Sequence, residues 1–184
     1  FPVIYKNLKE IDHYRKRFES SIKKINQLLD TQSQYTKKQL INAINSSTNF
    51  YLHYQGRDVL ELQQHYAHLI ERITQKIYQE FHKERKKNIS SQYMKIGFVS
   101  SFFRNHTVSK LFKNWILKLD QKFFKRFVYY AGNKFEQTTD LIKERADHFF
   151  SHTDVDQLIN QISKDNLDVL IYLDIGMRAK IQIL

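Results

Sequence analysis

The sequence predicts an α/β fold, with a helical first half leading into a parallel sheet covered by helices on both faces. Two observations carry this. In two long stretches of the first half, up to about Asp30 and from Leu62 to Phe81, apolar residues recur every three or four positions, the period of an amphipathic helix. From Tyr93 onward, short apolar and β-branched runs alternate with helical stretches, and the connections have the length that right-handed parallel crossovers require. Residues 1–92 are therefore read as a helical lead-in, and residues 93–184 as a sheet-bearing lobe.

The elements follow in order. Asn7 and Glu10 have the spacing of a capping box. Behind them Ile11, Tyr14, Phe18, Ile22, Ile25 and Leu28 or Leu29 line one face of a helix running to about Asp30. Arg15, Lys16, Arg17, Lys23 and Lys24 give that helix a basic outer surface. A shorter helix is expected around Lys37–Asn45, followed by an aromatic stretch, 47–57, with no clear period that closes on Gly56. Asp58 and Glu61 resemble a second capping box. The stripe Leu62, Tyr66, Leu69, Ile73, Ile77, Phe81 then predicts a helix to about Phe81. Residues 82–92, HKERKKNISSQ, read as the helix end and a linker.

In the second half the strand candidates are Lys95–Ser100, Arg126–Ala131, His148–Ser151 and Asp168–Leu173. Helices are expected at Val108–Leu119, Glu136–Ala146 and Val155–Lys164.

Composition bounds the function. At 184 residues, 41% hydrophobic and 27% charged, the chain can bury a core and is unlike a disordered one. Without cysteine, disulfides, thiol nucleophiles and thiolate metal sites are excluded. No apolar run approaches the roughly 18 residues needed to span a membrane. FPVIYKNLKE lacks the pattern of a signal peptide, so a cytoplasmic protein with no membrane partner is expected. The chain starts at Phe1 and stops inside what reads as an unfinished helix at residues 181–184, so a longer protein is expected. The net charge of +11 invites an anionic partner. Yet the charges are spread from end to end, and no aromatic-interleaved motif accompanies the clusters at residues 14–24 and 82–87. A solvated lysine surface is favoured over nucleic-acid binding.

In open α/β sheets, ligands gather at the carboxyl ends of the strands. There the sequence places Ser100, Ser101, Asn105 and His106 after the first strand, and Gly132 and Asn133 after the second. His152 and Thr153 follow the third, and Asp174 and Gly176 the fourth. No phosphate-loop or dinucleotide glycine fingerprint is present. By residue type, His106 is either a cap packed on its neighbours or a binding and proton-transfer group. By pattern, His148 before Phe149-Phe150 reads as a core histidine. Asp174 either positions a hydroxyl or caps a helix starting near Met177.

Residues 95–101 (KIGFVSS), with Asn105-His106 and Ser109-Lys110-Leu111, resemble the start of the catalytic region of O-linked N-acetylglucosamine transferases, the bacterial SPINDLY-like branch in particular. Further stretches agree in the same order: Thr48–Leu52, Tyr54–Gly56 and Glu61–Gln63 in the helical lead-in, Ala146–Phe149, and DVLIYLDIGM at residues 168–177. Pro2–Tyr5, before the helix bearing Tyr14–Phe18, also fits.

This resemblance implies a GT-B glycosyltransferase with two Rossmann-like lobes. It implies inverting transfer of a sugar from a nucleotide sugar such as UDP-GlcNAc to Ser or Thr hydroxyls of acceptor proteins, with no metal and no further cofactor. Tetratricopeptide repeats commonly precede the catalytic region in this family. By the resemblance, His106 and His148 correspond to active-site histidines, and Ser100, Ser101, Asn105, Asp174 and Gly176 join them as substrate-binding candidates. The animal-type enzymes carry Gly-Tyr where this chain has Gly176-Met177. The second lobe, with most of the nucleotide-binding residues and a lysine facing the leaving diphosphate, is expected to be missing, leaving this chain inactive alone. On this reading Asn105, His106 and Asp174 line a cleft open on one side, beside an apolar face where the second lobe docks. Two other readings stand beside it: a basic nucleic-acid-binding module, and a non-catalytic scaffold.

Overall fold

The helical period of the first half is realised as three α-helices in the computed structural model, which describes residues 1–31, 34–46, 48–81 and 92–184. The chain divides into two compact units, Phe1–Lys83 and Glu84–Gln182. The linker expected at residues 82–92 lies, but for Gln92, outside the described residues.

In the first unit, α1 (Leu8–Thr31) buries Ile11, Ile22 and Leu29. The Asn7 side chain accepts from the Glu10 N–H at 3.0 Å, as a cap should. The Glu10 carboxylate reaches back to the Lys6 N–H rather than to Asn7, so the box is only half closed. α2 (Lys37–Asn45) opens on a complete Thr36–Gln39 capping box. The aromatic stretch without a period forms a 3-10 helix, Phe50–Gln55, ended by Gly56 at φ +63, a left-handed position suited to glycine. α3 (Leu60–Ile77) buries Leu62, Leu69 and Ile73 against the other helices and stops short of the expected Phe81, which lies in a separate 3-10 turn.

The Asp58–Glu61 box does not form. Asp58 Oδ1 instead accepts from the Leu60 N–H two residues on, an Asx turn that starts the helix one residue too late for Glu61 to sit at its third position. Polar ties fix the packing. Arg15 donates to Gln55 at 3.2 Å and to the Asp58 carbonyl, and Arg72 of α3 donates to Asn26 and Asp30 of α1.

In the second unit, β1 (Met94–Ser100), β2 (Phe124–Tyr130), β3 (His148–Ser151) and β4 (Val169–Tyr172) form one sheet in the order β3-β2-β1-β4. Every pairing is parallel, as predicted. α4 (Thr107–Leu117), α5 (Gln137–Arg145) and α6 (Val155–Asp165) make the crossovers.

Because strand side chains alternate, the register sorts the core into two layers. Phe98, Val128, Tyr130 and Ile171 meet Val108, Ile116 and Ile142 from α4 and α5. Val99, Phe127, Tyr129, Leu170 and Tyr172 meet Leu158 and Ile162 from α6. β1, flanked on both edges, is buried along its last five residues, and at about 25 cal/mol per Å2 such burial dominates its stabilisation. Both ends of β4 are pinned to β1. At the amino end Asp168 accepts from the Lys95 N–H at 2.7 Å; at the carboxyl end Asp174 accepts from the Ser101 N–H. Neither the helix expected near Met177 nor one through residues 181–184 forms. After Asp174 the chain makes a turn, with Gly176 at φ +84, and a single 3-10 helix over Ala179–Gln182.

Candidate functional site

The β1–α4 connection is built from the strand outward. Ser100 and Ser101 are buried where β1 ends. Ser100 Oγ accepts from the Phe102 N–H at 2.9 Å, turning the chain out of the sheet. Phe102 and Phe103 enter the core, and Ser109 of α4 donates to the Phe102 carbonyl at 2.6 Å. Arg104, Asn105 and His106 then emerge. The Asn105 N–H donates to Glu136 Oε2 at 2.7 Å, fixing the loop to the start of α5, while the Asn105 residue is exposed.

His106 is the N-cap of α4. Its Nδ1 accepts from the Val108 N–H at 3.2 Å, and its ring stacks on Phe102 with centroids 4.0 Å apart. A ring nitrogen that accepts carries no proton, so the neutral imidazole holds its proton on Nε2 and presents a donor. Desolvation, and the charges of Arg104 and Arg178, lower the His106 pKa from its usual value and favour this neutral form. His106 is therefore suited to donating a hydrogen bond to a ligand oxygen. Acting as a base would need the lone pair that the helix cap already uses.

Asp174 lies across from this loop at the end of β4 and is only 2% exposed. Its carboxylate accepts from the Ser101 N–H at 3.2 Å, and the Ser100 hydroxyl also donates to it. Burial pushes its pKa up to about 6; the Ser101 N–H, the Ser100 hydroxyl, Lys180 and Arg178 offset part of that rise. Lys180 donates to the Ala131 carbonyl, joining the β2 end to the same region. Ser101 Oγ is buried with no hydrogen-bond partner among the described residues.

The structure thus brings Ser100, Ser101, His106 and Asp174 to the carboxyl ends of β1 and β4, with Asn105 and Gly176 beside them. Asp174 is a buried clamp between two strands and not a cleft-lining carboxylate. Phe135 and Ile175, 58% and 63% exposed, follow β2 and β4 on this rim.

His148 stands apart. It is exposed, it opens the edge strand β3, and its register partner Phe127 pairs in turn with Gly97, halfway along β1. Its ring stacks on Phe127 at 4.4 Å, on the sheet face covered by α6, whereas His106 caps α4 on the opposite face. The two histidines do not share a site. The core reading of His148 also fails, because an edge strand leaves its first residue open to solvent. His152 is an exposed turn residue whose Nδ1 accepts from the Asp154 N–H at 3.0 Å.

Arg104 and Arg178 were not among the candidates. Their guanidinium carbons lie 5.5 and 5.4 Å from the centroid of the Phe102 ring. Arg104 precedes His106 by two residues, which is a visible signal; Arg178 reaches the site only because β4 pairs with β1. No group of three or more metal-ligating side chains occurs among the described residues, and no described helix is long and apolar enough to cross a membrane.

No family model matches the sequence, and no curated protein matches it. Solved structures do. The chain is similar in fold to a mutant O-GlcNAc transferase from Thermobaculum terrenum, with a TM-score of 0.54 and 16% identity over 91% of this chain. The shared feature is the fold. The chain spans 32% of that protein's length, and a helical segment followed by a Rossmann-like parallel sheet is what the two have in common.

Proposed function

We propose that this chain is the acceptor-side part of a nucleotide-sugar-dependent protein O-glycosyltransferase of the SPINDLY-like type. It would transfer a sugar such as N-acetylglucosamine to Ser or Thr hydroxyls with inversion, without a metal, in the cytoplasm. The observation that carries the reading is the set of Ser100, Ser101, His106 and Asp174 gathered at the carboxyl ends of β1 and β4, on a fold similar to that of an O-GlcNAc transferase.

In this reading His106 donates its Nε2 proton to an oxygen of donor or acceptor. Ser100, Ser101 and Asp174 hold the loop that carries it. A second lobe would supply the nucleotide-binding residues and the cation facing the leaving diphosphate, a charge the reaction needs in place before the sugar–phosphate bond breaks. The test is to express the whole gene product containing this chain and incubate it with UDP-GlcNAc and Ser/Thr peptides. Mass spectrometry should then show peptides carrying one added N-acetylhexosamine. His106→Ala should lower the rate by about 100-fold, and the 184-residue chain alone should give no product. Absence of transfer from every common nucleotide sugar by the whole gene product, or an undiminished rate in His106→Ala, would sink the reading.

A further inference from the structure

We propose that Arg104 and Arg178, gathered round Phe102 beside His106, form a binding site for an oxyanion of the ligand, either a phosphoryl or a carboxylate group. Three other arginines of this chain give the contrast. Arg15 is tied to Gln55 and the Asp58 carbonyl, Arg72 to Asn26 and Asp30, and the buried Arg126 to Asp147. Those guanidinium groups hold elements together. Arg104 and Arg178 hold nothing of the kind: among the described residues neither forms an ion pair or a side-chain hydrogen bond.

What they share is one ring. Both guanidinium centres lie within 5.5 Å of the centroid of Phe102, whose third neighbour is the stacked imidazole of His106. Cation–π attraction explains why each sits on a phenyl ring. It does not explain why two like charges and an imidazole meet on the same one, an arrangement their repulsion disfavours. Two carboxylates belong to this region, and both have partners: Asp174 is buried and takes the Ser101 N–H and the Ser100 hydroxyl, and Glu136 accepts from the Asn105 N–H. Two guanidinium forks with no bonded acceptor among the described residues, and the Nε2 proton of His106, therefore stand round one ring. An oxyanion seated there would accept from both forks and remove the repulsion. The location agrees: it is the carboxyl end of β1 and β4, where α/β sheets take ligands.

The anion site stands on this geometry alone. Only the source of the anion rests on the sugar-transfer reading, which offers two: the diphosphate of the donor, or an acidic side chain beside the acceptor hydroxyl.

The test follows the His106 imidazole resonances of the full 184-residue chain by NMR at physiological salt, which suppresses the general attraction of a +11 surface. Pyrophosphate is titrated in one arm, and a glutamate-containing peptide in the other. We expect at least one to shift His106 saturably. Arg104→Gln and Arg178→Gln should each weaken that binding about tenfold. Lys16→Gln and Lys24→Gln, each removing the same single charge from the exposed outer face of α1, should leave it unchanged. Saturation by pyrophosphate alone assigns the site to the donor; saturation by the peptide alone assigns it to the acceptor. If the glutamine variants disturb the fold, Arg104→Lys and Arg178→Lys keep the charge but lose the fork, and should still weaken binding. A His106 signal unmoved by both probes, or equal binding by the arginine and lysine variants, overturns the proposal. No sugar transfer enters these measurements, so their failure and the failure of the glycosyltransferase reading are separate results.

Discussion

Asp174→Asn should make the second unit more stable at neutral pH. The folded protein holds the Asp174 carboxyl at about 6, against an ordinary 3.8, chiefly because it is buried. A rise of about two units corresponds to about 3 kcal/mol spent in ionising it inside the fold. The sign follows from proton binding. Between the two values the folded chain holds more protons than the unfolded one, so stability is greatest below the unfolded pKa and falls as pH rises through 6. Asparagine keeps an oxygen for the Ser101 N–H and has no charge to desolvate. Urea unfolding of both proteins between about pH 4 and about pH 7.5 cancels the titrations they share. The Asn variant should gain about 2–3 kcal/mol at the upper end and nothing at the lower. A difference that stays flat across this range would refute the reasoning. So would an Asn variant that is the weaker protein at about pH 7.5, because the ionised carboxylate would then be a net stabiliser.

Asp147 should behave in the opposite sense. Burial works against its charge, but the Arg126 N–H at 2.8 Å and the Arg126 guanidinium prevail and hold its pKa below the ordinary value. Its contribution is full above the ordinary carboxylate range and is lost as pH falls through the lowered pKa. Asp147→Ala, which strands the buried Arg126, should cost about 3–5 kcal/mol by urea unfolding near neutral pH. Gly176→Ala places a Cβ at φ +84 and should cost about 1–2 kcal/mol. Gly97→Ala, whose Cβ would stand 2.5 Å from Leu167 Cδ1, should cost about 1–3 kcal/mol in the same assay. His106→Ala should lose about 1 kcal/mol of helix capping, and His106→Asn should restore the cap without restoring the Nε2 donor. Thermal melts and transfer rates of the two variants should therefore diverge.

The sheet was legible because its signal is local. Lys95–Val99 is apolar enough to need burial on both faces, Val169–Tyr172 is apolar throughout although it forms a half-buried edge strand, and parallel pairing follows from the crossover lengths. The N-cap role of His106 was legible too, since a polar turn precedes an amphipathic run. Other features depend on register or neighbours. A strand residue's face changes with every step, so nothing in Ala146–Phe149 alone reveals that His148 points away from His106. Arg178 joins Arg104 only through the pairing of β4 with β1. The 3-10 helix at Phe50–Gln55 has too few turns to show a period, and Asp58 chose a turn over a cap by a single residue.

The hydrogen bond from Ser101 to Asp174 spans 73 residues of sequence. A ribosome adding about 5–20 residues per second needs several seconds to cover that distance. Throughout that interval the nascent chain holds β1 with at least one edge unpaired, and the loop that carries His106 lacks its tie to β4. The same connection that makes the rim a single unit in the finished protein leaves its first half waiting on its second. Cells that make this protein should need a chaperone for those seconds, and pausing of synthesis before Asp168 should lower its yield.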